Sequence, residues 1–294
     1  MHQHIKRHGL LTLGILILIL ATMGMANAQN TILWRVTDSV SQNTSFILGT
    51  FHQMGNSFAD SLPVISSSLY QSDVAIFESI DPVEKTRKQI MNRPSSPAIE
   101  KALGPKYFSQ LQNISRSWEV DLHKLKPVEL RWKLQQEYQK IKCKTVKSGD
   151  KWDHFDSYLI ALAKEHDLTV LGLETDSMQL ALINEEFEFP DWKSERKVIR
   201  RWIDYFNDPT PDPKLCQLAE AYRAFDLDYA FERPCSDNVL VKKRNQDWMQ
   251  ILPDFIRTNN CFIAVGYAHL QRDCGLLEEF RRMGFTVEPV DMAR

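Results

Sequence analysis

Four short apolar runs in this chain each stop at a side chain capable of chemistry, a pattern that restricts the fold more than any other feature. Phe46-Ile47-Leu48-Gly49 leads to His52, and Val74-Ala75-Ile76-Phe77 leads to Glu78. Val170-Leu171-Gly172-Leu173 leads to Glu174, and Phe262 through Gly266 leads to His269. Runs this short and apolar suit strands buried on both faces of a parallel sheet. Residues 33–37 and 45–50 read as a hairpin, 168–174 as a later strand and 286–290 as a last one. Between them, helical spacing predicts helices over 62–71, with Pro63 near the first turn, and over 155–166, 238–257 and 275–283. The expected fold is α/β, with a mixed, largely parallel sheet built from paired βαβ-type units. It forms one domain over 29–294, with helical insertions at about 81–150 and 176–235, where prolines separate the helical pieces.

The start of the chain carries a second constraint. Lys6 and Arg7 precede an apolar stretch over 10–25, followed by Ala26-Asn27-Ala28. This is the layout of a secretory signal peptide over 1–28, whose removal would leave Gln29 first. A periplasmic or secreted location is expected. An uncleaved anchor is the alternative, since the stretch approaches the roughly 18–20 residues that span a bilayer. No later stretch has that length, so no stable membrane anchor is expected after cleavage. A net charge of −2 argues against nucleic acid as a partner, because binding a phosphate backbone normally leaves a basic excess. Oligomeric state is not encoded legibly.

Five cysteines in an exported chain suggest disulfides with one thiol left over. Cys216 and Cys235 flank an expected helix, and Cys261 and Cys274 flank a strand and loop, so these pairings are expected and Cys143 is the odd one. None has the Cys-x-x-Cys spacing of a structural zinc knuckle.

In an open α/β sheet, ligands bind beyond the carboxyl ends of the strands. Parallel strands would therefore gather two imidazoles and two carboxylates in one place. The histidines share a local pattern, Gly49-Thr50-Phe51-His52 and Gly266-Tyr267-Ala268-His269, in which the glycine permits a sharp turn or a close approach. Glu78 continues an apolar strand, where a carboxylate must be paired, hydrogen-bonded or metal-bound. An ion pair with Arg244, itself placed on an apolar helix stripe with Leu240, is the structural alternative. No Gly-x-Ser-x-Gly, no cysteine beside a strand-end histidine and no His-Glu-x-x-His is present, so a triad hydrolase is not supported. Two histidines with one or two carboxylates can hold a divalent metal such as Zn, Mn or Co and leave a position open for water.

These residues fall into a known order. Leu33-Trp34-Arg35-Val36 with Phe46 to His52, Leu62-Pro63 leading to Glu78, and Leu171-Gly172-Leu173-Glu174-Thr175 with Gln179 resemble successive motifs of the TraB/PrgY/GumN family, related to the Tiki metalloproteases. Arg244-Asn245 with Trp248, and Phe262 to Leu270 with Gly275-Leu276-Leu277, resemble its closing motifs. Tyr267 stands where a small residue is expected, and Cys274 is a further departure. The resemblance implies paired βαβ-type units and a metal-dependent peptidase site on His52, Glu78 and His269.

The leading expectation is thus an exported metal-dependent hydrolase acting on peptide or related amide bonds. His52, Glu78 and His269 would hold the metal, with Glu78 as ligand or general base. Arg244 and Asn245 would position or neutralise an anionic group, and Glu174 would orient a histidine. One alternative is a non-catalytic extracytoplasmic binding protein for a peptide, haem or other small ligand. Another is a metal-free hydrolase with His52 as base.

Overall fold

Six strands pair into one sheet among the described residues, 30–237 and 239–292, of a computed structural model. The leader expected at 1–28 lies outside these residues. The strands are β1 (Leu33–Thr37), β2 (Thr44–Thr50), β3 (Val74–Ser79), β4 (Thr169–Glu174), β5 (Cys261–Gly266) and β6 (Thr286–Pro289), in the spatial order β4-β3-β5-β2-β1-β6. β2, β5, β3 and β4 run parallel, whereas β1 is antiparallel to both β2 and β6. The sheet is therefore mixed and mostly parallel, as expected. Its register places Thr50 opposite Gly266 and Ser79 opposite Glu174, so the carboxyl ends of the four parallel strands meet along one edge.

α1 (Asn56–Asp60) and α2 (Pro63–Tyr70) connect β2 to β3. Pro63 falls in the first turn of α2, where the missing N–H costs nothing. α3 (Val83–Met91), α4 (Ala98–Ile114) and α5 (Pro127–Ile141) follow, and α6 (Phe155–Glu165) leads into β4. α7 (Asp176–Glu186), α8 (Trp192–Asn207) and α9 (Pro213–Ala224) come next. A π-helical turn (Val239–Lys243), α10 (Arg244–Trp248) and α11 (Leu252–Thr258) lead to β5, and α12 (Leu276–Arg282) precedes β6. No helix among the described residues is long and apolar enough to cross a membrane.

Two hydrophobic cores result. One lies on the sheet and includes Trp34, Leu48, Ile76, Phe77, Phe155 and Phe262. The other fills the helical sections, around Leu111, Leu134, Tyr138, Ile199 and Ile203. Phe51 packs against both, and α9 contributes Ala219 to the second and Tyr222 to the first.

Two expectations require correction. A single helix over 238–257 is not formed. Proline clashes with the carbonyl four residues before it, here that of Met249, so Pro253 can only begin a helix. The chain turns at Met249–Ile251 and restarts as α11 with Pro253 in its first turn. The disulfides also differ: Cys143 pairs with Cys216 and Cys235 with Cys274, leaving Cys261 as a buried thiol. Sequence neighbours mislead here because Cys216, in α9, and Cys143, just after α5, both face the second core, while Cys261 is enclosed as the first residue of a fully buried strand.

Candidate functional site

Glu78 is the centre of the strand-end cluster. The apolar segment of β3 does not stop at Phe77 but stays paired through Glu78 and Ser79, which carries the carboxylate into the buried sheet. Its Oε1 accepts a 2.6 Å hydrogen bond from the Gly266 N–H at the end of β5. The same oxygen faces both imidazoles, 3.6 Å from His269 Nε2 and 3.9 Å from His52 Nε2. Its Oε2 is ion-paired with Arg244 Nη2 and accepts from Gln179 Nε2 at 3.4 Å.

The two Gly-x-x-His segments use their glycines for close approach. A Cβ on Gly266 would lie 3.0 Å from His52 Nε2 and 3.2 Å from Glu78 Oε1, and one on Gly49 would lie 2.8 Å from Leu270 Cδ1. Gly266 has φ −54°, so no left-handed turn is involved.

Each imidazole is fixed through its Nδ1, by a different partner. His52 Nδ1 lies 2.6 Å from Asp156 Oδ2, and Thr50 Oγ1 donates to the other oxygen of that carboxylate at 3.0 Å. An ionised carboxylate only accepts, so the network assigns the proton to Nδ1 and leaves Nε2 facing Glu78. His269 lies in the 3₁₀ turn Tyr267–Leu270, and its Nδ1 meets Asn245 Oδ1 at 2.6 Å. Asn245 Nδ2 donates to the carbonyls of His269 and Cys274, which settles its amide orientation. Arg244 Nη1, a donor only, lies 3.0 Å from His269 Nε2, so that nitrogen carries a lone pair.

Arg244 reaches this position from the first turn of α10. Its Nη1 also donates to the Leu240 carbonyl in the π-helical turn, a kind of widened turn that recurs at functional sites. Trp248 lies under the guanidinium at 4.7 Å and beside the His269 ring at 4.5 Å. Glu174, at the end of β4, holds Arg244 through its Oε2, which accepts from Nε at 3.1 Å, and its Oε1, which pairs with Nη2. Glu174 therefore orients the arginine, and touches no imidazole. Both of its oxygens are taken by the guanidinium, which leaves none for a ring.

The electrostatics follow from this packing. Burial alone would raise Glu78, but the imidazoles, Arg244 and the Gly266 N–H outweigh it and hold its pKa at about 2. Burial lowers His269, and Arg244 adds to the effect, bringing it to about 3 against the pull of Glu78, so it is neutral. Burial also opposes charge on His52, yet Asp156 and Glu78 raise it to about 9.

The structure thus brings together His52, Glu78, His269, Arg244 and Asn245, with Glu174 behind Arg244. Reasoning from sequence missed Asp156 and Thr50. Asp156 sits in the first turn of α6, where an acidic residue ordinarily serves the helix terminus; the available signal was its position directly after the apolar Phe155, whose N–H donates to the His52 carbonyl. His154, at the N-cap of α6, was also missed and stacks on His52 at 5.4 Å. His52, His154 and Asp156 have ligand atoms within 4.8 Å of one another. The close His52–Asp156 hydrogen bond would have to break to admit a cation there.

The fold is that of an α/β protein, with an ion-paired cluster of histidines and carboxylates at the strand ends as its candidate site. Residues 32–289 match the TraB/PrgY/gumN family, and the chain belongs to that family. No curated protein and no solved structure gives a significant match.

Proposed function

We propose that this protein is an exported, metal-dependent hydrolase acting on peptide or related amide bonds. The observation that carries the reading is the convergence of two imidazole Nε2 atoms on one carboxylate oxygen, Glu78 Oε1, at 3.6 and 3.9 Å, with both rings fixed behind by Asp156 and Asn245. Ligand atoms around one tetrahedral zinc stand roughly 3.3 Å apart; each imidazole Nε2 lies a few tenths of an ångström beyond that from Glu78 Oε1, so Zn, Mn or Co would bind only after the two rings draw together and Arg244 Nη1 leaves His269 Nε2. His52 and His269 would bind through Nε2 and Glu78 through Oε1. The resemblance to the Tiki metalloproteases and the two disulfides are compatible with this reading.

A bound divalent metal would lower the pKa of its water toward about 7 and polarise the scissile carbonyl. The chain's own residues do the rest. Asp156 and Asn245 hold the rings by Nδ1 with Nε2 aimed at the site, as outer partners of metal-binding histidines commonly do. The proton that the raised pKa of about 9 keeps on His52 Nε2 would give way to a metal. Arg244 keeps Glu78 ionised, ready to bind or to accept a proton, and can shift its Nη1 from His269 toward a developing oxyanion.

The test is the metal content of protein prepared from the periplasm before any chelator is added. About one equivalent is expected, as a single open site requires, and His52→Ala and His269→Ala should lose it. If both variants bind metal as the parent does, the shared site is wrong. Cleavage of a peptide library, read by mass spectrometry, should disappear in Glu78→Gln while ligand binding remains. One contact favours a second reading, a metal-free hydrolase with the Asp156–His52 pair as base: Arg244 Nη1 lies where a cation would meet His269 Nε2. Activity that survives exhaustive chelation would select it.

A further inference from the structure

The two disulfides have very different surroundings. Cys143 and Cys216 are both buried, at 4% and 7% exposure, inside the helical core. Cys235 and Cys274 are partly exposed and line two cavities. The larger, of about 600 Å³, is lined by Cys235, Cys274, Lys242, Asn245, Met249 and Arg282 among others. The smaller, of about 90 Å³, also contains both cysteines and reaches Ala268, the neighbour of His269. The bond therefore borders both cavities, with Lys242 and Arg282 in the larger and the Asp273 carboxylate within 4.8 Å of both sulfurs. Lys242 pairs with Asp237, and Arg282 binds Glu279 and the Asp273 carbonyl. Of the two bonds this is the one a dissolved thiol can reach, which thiol–disulfide exchange requires.

The same bond touches the proposed site at two points. The Cys274 carbonyl accepts from Asn245 Nδ2 at 2.9 Å, and Asn245 Oδ1 accepts from His269 Nδ1 at 2.6 Å. On the other side, Cys235 leads through the π-helical turn to Arg244, which contacts His269 Nε2. The disulfide thus ties the loop after His269 to the segment that carries both of its partners.

We infer that Cys235–Cys274 is an exchange site for a low-molecular-weight thiol, and that its redox state is relayed to the His269 imidazole through Asn245. An incoming thiolate attacks one of the two sulfurs, the S–S bond breaks, and the other cysteine leaves as a thiolate that takes up a proton. A second small thiol attacks the mixed disulfide, releasing the second cysteine and a small-molecule disulfide. The two electrons gained by the protein come from the two small thiols. Once opened, the Cys274 loop no longer has a covalent tether to the Arg244 segment, and non-covalent contacts, the Asn245 hydrogen bonds among them, are left to hold His269.

The relay concerns the site of the hydrolase reading, but its test uses neither metal nor turnover. Folded, metal-free protein is equilibrated with rising concentrations of reduced glutathione, alkylated and mapped by mass spectrometry. Cys235 and Cys274 should become modified at thiol concentrations at least about tenfold below those needed for Cys143 and Cys216. In parallel, the His269 imidazole ¹⁵N signals, assigned with His269→Gln, should shift on selective reduction and should match those of Cys235→Ala/Cys274→Ala. If that variant does not fold, the selectively reduced parent supplies the spectrum. Opening of both disulfides together, or a His269 signal indifferent to reduction, would overturn the inference.

Discussion

Asp156 Oδ2 stands 2.6 Å from His52 Nδ1, joining the loop after β2 to the first turn of a helix 104 residues further on. The contact both fixes the ring and favours its charge. Asp156→Asn should bring the His52 midpoint down from about 9 toward 6.5 in metal-free protein, as followed by NMR titration. Metal affinity should fall roughly 10–100-fold, the usual cost of losing such an outer partner. An unchanged midpoint would mean that Asp156 does not control the ring.

Stability of the metal-free protein should peak near pH 6.5. His269 has a native pKa of about 3 against 6.5 unfolded, so between these values the unfolded chain holds a proton that the native one lacks. Stability therefore falls as pH drops through that window. Glu78, at about 2 against 4.5, adds stability that is present above 4.5 and lost as pH falls toward 2. His52 has the opposite sign: its contribution is complete below 6.5 and is lost as pH rises through 9. Its limb should be the shallower, because 35% of its side chain is exposed. Urea unfolding between pH 3 and 10 measures both limbs, and His269→Gln should flatten the acid one.

Arg244 neutralises two carboxylates that have side-chain exposures of 9% and 3%, Glu78 and Glu174. Arg244→Ala leaves both without their cation, for an expected loss of about 3–5 kcal/mol in chemical denaturation. Arg244→Met combined with Glu174→Gln should recover part of that loss, since one stranded charge is removed with its partner. Equal stability in the single and double variants would show that the Glu174 pairing contributes nothing.

Gly266→Ala tests the close approach directly. The added methyl would press on His52 Nε2 and Glu78 Oε1, so an overpacking cost of about 1–3 kcal/mol is expected together with weakened metal binding. Gly149→Ala, where a Cβ meets nothing within 4 Å, is the matched control and should leave both unchanged. Calorimetric melting and a zinc titration measure the two effects.

Periodicity and burial made much of this fold readable, because strands such as Val74 to Phe77 and Phe262 to Val265 are apolar on both faces and can go nowhere but the interior. The groups at their ends were readable for the same reason, since a carboxylate such as Glu78 is conspicuous in that setting. Asp156 was not, because a buried acid at a helix start has the same local sequence as an exposed one. Arg244 could be singled out on its helix stripe, but its aim depends on a π-helical turn and on the break before Pro253. The cysteine partners depend on how the helical sections fold back on the sheet, a relation that spacing along the chain does not carry.

Phe51 has contacts in both hydrophobic cores and immediately precedes His52. One aromatic side chain thus joins the packing of the helical layer and of the sheet to the backbone that carries this histidine. A substitution that loosens the Phe51 packing should therefore be felt at the His52 ring as well as in both cores.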